Sequence, residues 1–199
     1  MKIEICLLDL DYEQIDGNIS IILYGRTPDH KRVVVVGPTY EPYFYILPKN
    51  LIKARREIEA TLKKGNFKIR RIEETRKILL GEERELIKVY CFMPQDTTKV
   101  RDGIKILEER RGGSGSILDE YEYQMGFYRG YLADRGISCL DWLAVEGETF
   151  DLDVDADLKV KAKIIKKVDR NSMPFKALAF DTEVVEEKRG ERQLVMISL

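Results

Sequence analysis

The order of strand-like and helix-like segments between residues 42 and 123 is the feature that most limits how this chain can fold. The segments in order are a strand at 42–47, a helix at 51–62, strands at 67–80 and 86–93, a helix from Thr97 or Thr98 to residue 107, and a strand at 117–123. This β-α-β-β-α-β order predicts a ferredoxin-like (RRM-like) module over about residues 42–123. Such a module leaves one face of its sheet open, and nucleic-acid-binding modules often use that face.

The segments on either side of this module are also rich in strand patterns. Apolar runs at residues 3–10, 19–24 and 33–36 predict an N-terminal β-hairpin region. Residues 126–135 predict a short helix that ends at Gly136. From residue 151 to 164 apolar and charged side chains alternate, so we expect one half-buried strand there, or two strands joined near Asp157. The predicted fold class of the whole chain is α+β.

Charge and cysteine content exclude several classes of protein. The 34 basic and 35 acidic residues leave a net charge of −1, so a nucleic-acid-binding surface would have to be a local patch. Three scattered cysteines, none of them in a CxxC pair, predict neither a disulfide framework nor a zinc site. No apolar run is long enough to span a membrane and no signal peptide is evident, so we expect a cytoplasmic protein without a membrane partner.

Two acidic residues close to the end of the sequence could carry chemistry. Asp181 and Glu183 follow an apolar strand pattern at residues 177–180, and residues two apart on a strand point the same way. Their carboxylates could therefore converge on one hard divalent cation. The pattern is weak by itself, because a chain with 35 acidic residues contains other such pairs. A solvated strand end is the alternative interpretation.

A series of short motifs resembles one family over nearly the whole chain. The final segment, FKALAFDTEVVEEKRGERQLVMISL, resembles the first exonuclease motif of family B DNA polymerases, with Thr182 where the family usually has Ile. LLDLDY, EPYFYILP, the turn at Leu80 and Gly81, MPQD and EYQMGFYRGYLADRGI precede it in the family's order and rough spacing. The chain therefore resembles the N-terminal region of an archaeal-type family B DNA polymerase, ending just after that first motif.

The resemblance implies a domain organisation and a set of partners. Residues 1–132 would form the N-terminal polymerase domain, and residues 133–199 linker strands and the truncated start of an RNase H-like 3′→5′ exonuclease domain. Asp181 and Glu183 would be catalytic metal ligands for Mg²⁺ or Mn²⁺, in a site too incomplete for the fragment to be active alone. The expected partners are template and primer-template DNA, the remainder of the polymerase chain, and a sliding clamp bound through the missing C-terminus.

In archaeal members of the family, this region also carries a pocket that reads uracil in the template strand. The positions that match this pocket are Tyr12, Pro42, Tyr43, Thr97, Met125, Gly126, Phe127 and Tyr131. Thr97, Met125 and Gly126 replace an expected Val, Ile and Pro, and Gly130 stands where the family tends to have Arg. The alternative interpretation is that these aromatic residues pack the core of their own domain.

Two other functions are compatible with parts of the pattern. One is a stand-alone, non-enzymatic nucleic-acid-binding protein built on the ferredoxin-like module. The other is a structural or interaction domain with balanced charge. The Asp181/Glu183 hairpin and the end of the sequence within an apolar strand both favour the polymerase fragment.

Overall fold

The computed structural model describes residues 1–15, 17–110, 115–170, 179, 181–186 and 192–198. The elements in chain order are β1 (Lys2–Ile15), β2 (Asn18–Arg26), β3 (Arg32–Thr39), β4 (Tyr43–Pro48), α1 (Leu51–Lys64), β5 (Ile69–Leu79), β6 (Glu82–Cys91), α2 (Asp96–Arg110), β7 (Ile117–Tyr121), α3 (Phe127–Arg135), β8 (Trp142–Thr149), β9 (Leu158–Val168), β10 (Asp181–Glu186) and β11 (Arg192–Ser198). The chain is thus a mixed α+β protein made mostly of strands, as predicted. It divides into two compact units, Met1–Asp169 and Arg170–Leu199.

Five strands of the first unit form a closed barrel in the order β1-β2-β3-β9-β8. All neighbouring strands are antiparallel except β3 and β9, which pair in parallel from Val33 opposite Leu158 to Val36 opposite Lys161. Alternate residues of each strand point into the barrel, where Leu7, Leu23 and Leu143 are fully buried. The predicted N-terminal hairpin region is confirmed in the antiparallel pairs β1–β2 and β2–β3, and β8 and β9 close it into a barrel.

The alternating segment at residues 151–164 is only partly a strand. β9 begins at Leu158, and residues 151–157 are not strand. Instead, Leu152, Val154 and Ala156 pack against an apolar patch on β2 and β3. Arg32 anchors this segment by donating hydrogen bonds from its guanidinium to the carboxylates of Asp155 and Asp157, at 2.7 Å for the shortest. The alternation of apolar and charged residues thus reflects burial of residues 151–157 against β2 and β3, as well as strand pairing from Leu158 onwards.

The inserted module follows the predicted β-α-β-β-α-β order, as β4-α1-β5-β6-α2-β7. Its four strands form an antiparallel sheet in the order β5-β6-β4-β7. The two helices pack on one face of this sheet, where residues such as Ile58 of α1, Ile104 of α2 and Val89 of β6 form the core. Asn50 begins α1 by accepting a hydrogen bond from the Lys53 N–H at 2.9 Å.

The start of α2 differs from the prediction that Thr97 or Thr98 caps it. The helix begins at Asp96, and the Thr97 hydroxyl donates backwards to the Pro94 carbonyl at 2.8 Å. An acidic residue in the first turn suits the positive end of the helix dipole. Thr97 therefore lies within the first turn of the helix, and its hydroxyl bonds to the turn that precedes it.

Helix α3 confirms the predicted short helix. It ends at Gly136, whose φ of +60° is a left-handed conformation that glycine adopts without strain. Tyr131 of α3 and Ile137 are buried among the barrel residues. Because β8 and β9 complete the barrel begun by β1–β3, residues on both sides of position 132 share one core. The domain boundary near that position stays a prediction.

The second unit contains the hairpin of β10 and β11, with Asp181 opposite Ser198 and Glu183 opposite Met196. The apolar strand predicted at residues 194–199 is confirmed up to Ser198 as part of β11. Except for residue 179, the strand predicted at residues 177–180 lies outside the described residues. So do most of residues 186–192, for which the sequence predicts a charged turn, and most of residues 111–116, for which it predicts a loop. None of the described helices has both the length and the apolar character that crossing a bilayer requires.

Candidate nucleic-acid pocket and acidic pair

A cavity of about 540 Å³ lies between the barrel, the inserted module and α3. Seven of the eight predicted uracil-pocket residues line it, namely Tyr12, Pro42, Tyr43, Thr97, Met125, Gly126 and Phe127. They come from β1, the start of β4, the start of α2 and the turn that leads into α3. Folding therefore gathers positions that are up to 115 residues apart (127 minus 12) into one cavity.

Aromatic rings form a continuous wall on the barrel side of this cavity. The Tyr12 and Phe127 rings meet edge to face with centroids 5.2 Å apart, and Phe127 lies 5.1 Å from Tyr40. Tyr131, predicted with this group, does not line the cavity. Its side chain is fully buried in the barrel core, and its ring lies 5.2 Å behind Tyr40. Tyr131 thus supports the wall from the inside.

Two tyrosine hydroxyls in this wall share one acceptor. Tyr40 and Tyr43 donate hydrogen bonds to Oδ2 of Asp134 at 2.9 and 2.8 Å. Burial raises the pKa of Tyr40 and that of Tyr43 well above the ordinary value, so both hydroxyls stay protonated and act as donors. Neither Tyr40 nor Asp134 is among the site residues predicted from the sequence. Tyr40 stands directly before the EPYFYILP motif and Asp134 lies within EYQMGFYRGYLADRGI, and these positions were the available signals.

The turn before α3 forms the rim of the cavity. Gly126 precedes the helix with a φ of −54°, a value that proline also adopts, so the Gly in place of the expected Pro leaves this backbone compatible with the family pattern. Its carbonyl accepts the Arg129 N–H at 2.8 Å and the Gly130 N–H at 3.1 Å. These two bonds form the first turn of the helix and occupy the Gly126 carbonyl oxygen. Other groups would therefore form the hydrogen bonds to a ligand.

The charge of the cavity decides which part of a nucleotide it suits. No Lys or Arg is found among the described residues that line it, and Glu122 is the one lining carboxyl in that set. Burial raises the pKa of Glu122 above its ordinary value. A phosphate would lack a counter-ion here, whereas the aromatic walls and the amides of Gln95 and Gln124 suit an uncharged planar base.

Asp181 and Glu183 lie at the first and third positions of β10, with their side chains exposed. The pair was predicted at the tip of a strand, but it is paired within one, opposite β11. Oδ1 of Asp181 accepts the Thr182 N–H at 2.8 Å. Two carboxylates of this kind fit a hard divalent cation in donor chemistry. Across the described part of the chain, no cluster of three or more His, Cys, Asp or Glu residues could complete such a site.

Comparisons with known proteins find similarity to DNA polymerases of archaea. The DNA polymerase of Thermococcus kodakarensis is 32% identical over 133 residues, which is 66% of this chain and 8% of that protein. The DNA polymerase of Archaeoglobus fulgidus is 27% identical over 192 residues, 92% of this chain and 22% of its own length. A solved family B DNA polymerase from Pyrobaculum calidifontis has a TM-score of 0.71 at 23% identity, over 98% of this chain and 25% of that chain.

The chain is homologous to archaeal family B DNA polymerases. No protein-family model matches it. The chain spans 22% or less of the length of the two curated relatives named above, so it corresponds to a small part of these polymerases. The structural likeness to the Pyrobaculum polymerase covers both the barrel and the inserted module, and it accounts for the mixed α+β fold. The relatives disfavour the alternative of an unrelated, stand-alone binding protein.

Proposed function

We propose that this chain is the N-terminal portion of a DNA-directed DNA polymerase with a 3′→5′ exonuclease, and that its cavity binds a base of the single-stranded template. The observation that carries the proposal is the convergence of seven predicted residues on one aromatic cavity without basic lining residues. In the longer protein, the remainder of the polymerase chain, primer-template DNA and a sliding clamp would be the partners, in the cytoplasm.

The proposal includes finer assignments of the two units. The element order of the inserted module and its sheet order β5-β6-β4-β7 support a ferredoxin-like fold. The β10–β11 hairpin would be the first part of an RNase H-like exonuclease domain that begins after the linker strands from residue 133, leaving residues 1–132 as the N-terminal domain.

Uracil is the base that we propose the cavity prefers. Stacking on aromatic rings such as Tyr12 and Phe127 contributes about 1–3 kcal/mol per base without selecting among bases. Selection against thymine needs a closely packed wall, because an extra methyl group in a packed site costs roughly 1–3 kcal/mol. The edge of the base would be read by polar groups of the cavity, for which Gln95, Gln124 and backbone groups are available.

Binding of matched oligonucleotides tests this proposal. Single strands that differ only in one central dU or dT would be titrated with the purified chain, and fluorescence anisotropy would give both Kd values. We expect the dU strand to bind tighter by about 5- to 150-fold, the equivalent of 1–3 kcal/mol. Equal Kd values would reject uracil reading, and the absence of binding to either strand would reject the template site.

A pair of matched variants locates the binding. Phe127→Ala removes an aromatic wall of the cavity and should weaken binding of the dU strand by about 5- to 150-fold. Phe92→Ala is the control, because Phe92 is 42% exposed, lies outside the cavity lining and stacks with Arg70. Equal losses in the two variants would place the strand on a different surface.

For the exonuclease, we propose that Asp181 and Glu183 hold one divalent cation, Mg²⁺ or Mn²⁺, together with acids from beyond the chain. Such ions activate water and stabilise the leaving oxygen of a phosphodiester. The two side chains present here would position the ion, and two ligands alone would leave the chain inactive. Metal-dependent degradation of single-stranded DNA by the pure chain, lost in Asp181→Ala, would contradict this proposal.

A further inference from the structure

Helix α3 presents two residues to the tyrosines of the cavity wall. Asp134 accepts hydrogen bonds from the hydroxyls of Tyr40 and Tyr43, at 2.9 and 2.8 Å. Gly130, one turn earlier, leaves room for the same group, since a Cβ there would lie 3.3 Å from the Tyr40 hydroxyl oxygen and 3.9 Å from Sδ of Met125. Residues four apart share one side of a helix, so both act from the same face of α3.

The two tyrosines belong to different parts of the fold. Tyr40 follows β3 of the barrel, and Tyr43 begins β4 of the inserted module. Their ring centroids are 6.2 Å apart, and both rings line the proposed base-binding cavity. One carboxylate on α3 therefore joins three elements at the point where they enclose the cavity. Hydrogen bonds to an ionised acceptor are stronger and shorter than bonds between neutral groups.

We propose that Asp134 and Gly130 are positioning residues that set the width of the cavity, Asp134 by bonding the hydroxyls of Tyr40 and Tyr43 and Gly130 by leaving room for the hydroxyl of Tyr40. This assignment rests on the proposed function of the cavity as a base-binding site. A site that rejects one methyl group must hold its walls within about 0.5 Å, and packing alone leaves a ring free to shift. The shared carboxylate removes that freedom for both rings at once. We name the two tyrosines and Asp134 the tyrosine clamp.

The clamp differs in kind from the other walls of the cavity. Tyr12 is 36% exposed and meets Phe127 only through ring contact. Tyr43 and Tyr40 are half-buried, and their positions depend on a directional bond. Asp134 itself does not line the cavity, so it would act on a bound base only through the two tyrosines.

Small substitutions on α3 separate a positioning role from a general contribution to the stability of the fold. Asp134→Asn keeps the side-chain shape but replaces the charged acceptor, and Gly130→Ala introduces a Cβ at the Tyr40 hydroxyl. Asp153→Asn is the control, because Asp153 is an exposed aspartate outside the cavity. We expect the ratio of dT to dU Kd values to fall towards one in both α3 variants, mainly because the dT strand binds tighter once the rings of Tyr40 and Tyr43 are no longer held in place. Asp153→Asn should keep the wild-type ratio.

A merely structural role would give a different result. If the α3 residues only supported the fold, their substitution would weaken the binding of both DNA strands equally and lower the midpoint of thermal unfolding. The clamp also predicts that Asp134→Asn has no further effect on the ratio when Tyr40→Phe and Tyr43→Phe are already present, because coupled residues are not additive. An unchanged ratio in Asp134→Asn, or an additive effect in the triple variant, would overturn the assignment.

Fluorine NMR of 3-fluorotyrosine-labelled chain distinguishes the failure of the clamp from the failure of the base-binding site. Without DNA, the Tyr40 and Tyr43 resonances should shift or broaden in Asp134→Asn and stay unchanged in Asp153→Asn. Unaffected resonances in Asp134→Asn overturn the clamp. A wild-type Kd ratio of one, with the expected fluorine shifts, overturns instead the uracil preference, and with it the role of the clamp in selection.

Discussion

The ring of Tyr12 meets the ring of Phe127 edge to face, with centroids 5.2 Å apart and planes at 80°. Tyr12 lies on the long first strand of the barrel, and Phe127 is the first residue of α3. The contact therefore connects the barrel to the helix that closes one side of the cavity. It also places two stacking surfaces next to each other at the cavity wall.

This contact should contribute measurably to stability. Tyr12→Ala and Phe127→Ala are each expected to lower the free energy of unfolding, and the double variant should cost less than their sum. Edge-to-face pairs are coupled by about 0.5–1.5 kcal/mol beyond the area that they bury. Urea unfolding of the wild type, both single variants and the double variant measures this coupling. A coupling energy of zero would show that the contact between the two rings does not contribute to stability.

Gly126 should accept proline without loss of the fold. Its φ of −54° matches the proline ring, and a Cβ at this position would meet the Tyr128 ring at 3.6 Å and Cδ of Arg129 at 3.8 Å, both ordinary contact distances. We expect Gly126→Pro to raise the free energy of unfolding by about 0.4–1 kcal/mol, because the unfolded chain loses freedom.

Gly136→Pro is the control for this substitution. Gly136 has a φ of +60°, and its N–H donates to the Ala133 carbonyl at 3.2 Å, so proline fits neither the angle nor the bond. It should lower the midpoint of thermal unfolding. A loss of stability in Gly126→Pro of similar size would contradict the helix-start geometry described here.

Tyr131→Phe should separate the core from the cavity. The Tyr131 hydroxyl is buried and has no hydrogen-bond partner among the described residues. Removal of such a group is expected to leave the free energy of unfolding unchanged or to raise it by about 1 kcal/mol. Binding of single strands should also be unchanged. A higher Kd for the dU strand would show instead that Tyr131 contributes to binding.

The three cysteines should differ in reactivity. Cys6 and Cys91 are buried and Cys139 is exposed. Burial raises the pKa of Cys91 to about 12 and also raises that of Cys6, so at pH 8 both remain thiols, which are poor nucleophiles. An aromatic disulfide reagent should titrate one thiol rapidly in the native chain and three in denaturant. Cys139→Ser should abolish the rapid phase, and a persisting rapid phase would mean that the barrel or module opens readily.

Local patterns were sufficient to predict the order of the elements in the inserted module. The apolar spacing of residues 51–62 predicted α1 to within two residues of its observed end at Lys64. The barrel could not be predicted in this way, because its closing pair joins β3 to β9 across the whole module. Periodicity reports which side of a segment is buried, and residues 151–157 bury one side against the barrel without joining it.

The candidate site was likewise predicted only in part from the sequence. Family resemblance predicted seven residues that the fold brings together, and it also included Tyr131, which supports the wall from the core. Tyr40, Glu122 and Asp134 were missed because each is an ordinary residue in its own segment. Their roles arise only when α3 packs against both the barrel and the module, a relation between distant segments that no local pattern contains.

The parallel pairing of β3 with β9 has a consequence for how the chain is made. During synthesis β1, β2 and β3 are made early, but the strand that pairs with the free edge of β3 is more than a hundred residues downstream. The hydrogen bond between Arg32 and Asp157, which are 125 positions apart, illustrates this separation. During that interval the inserted module can collapse by itself from contacts that are closer in sequence. The nascent barrel meanwhile exposes an unpaired apolar strand, so synthesis of residues 158–161 ends the period in which this chain is most open to mispairing.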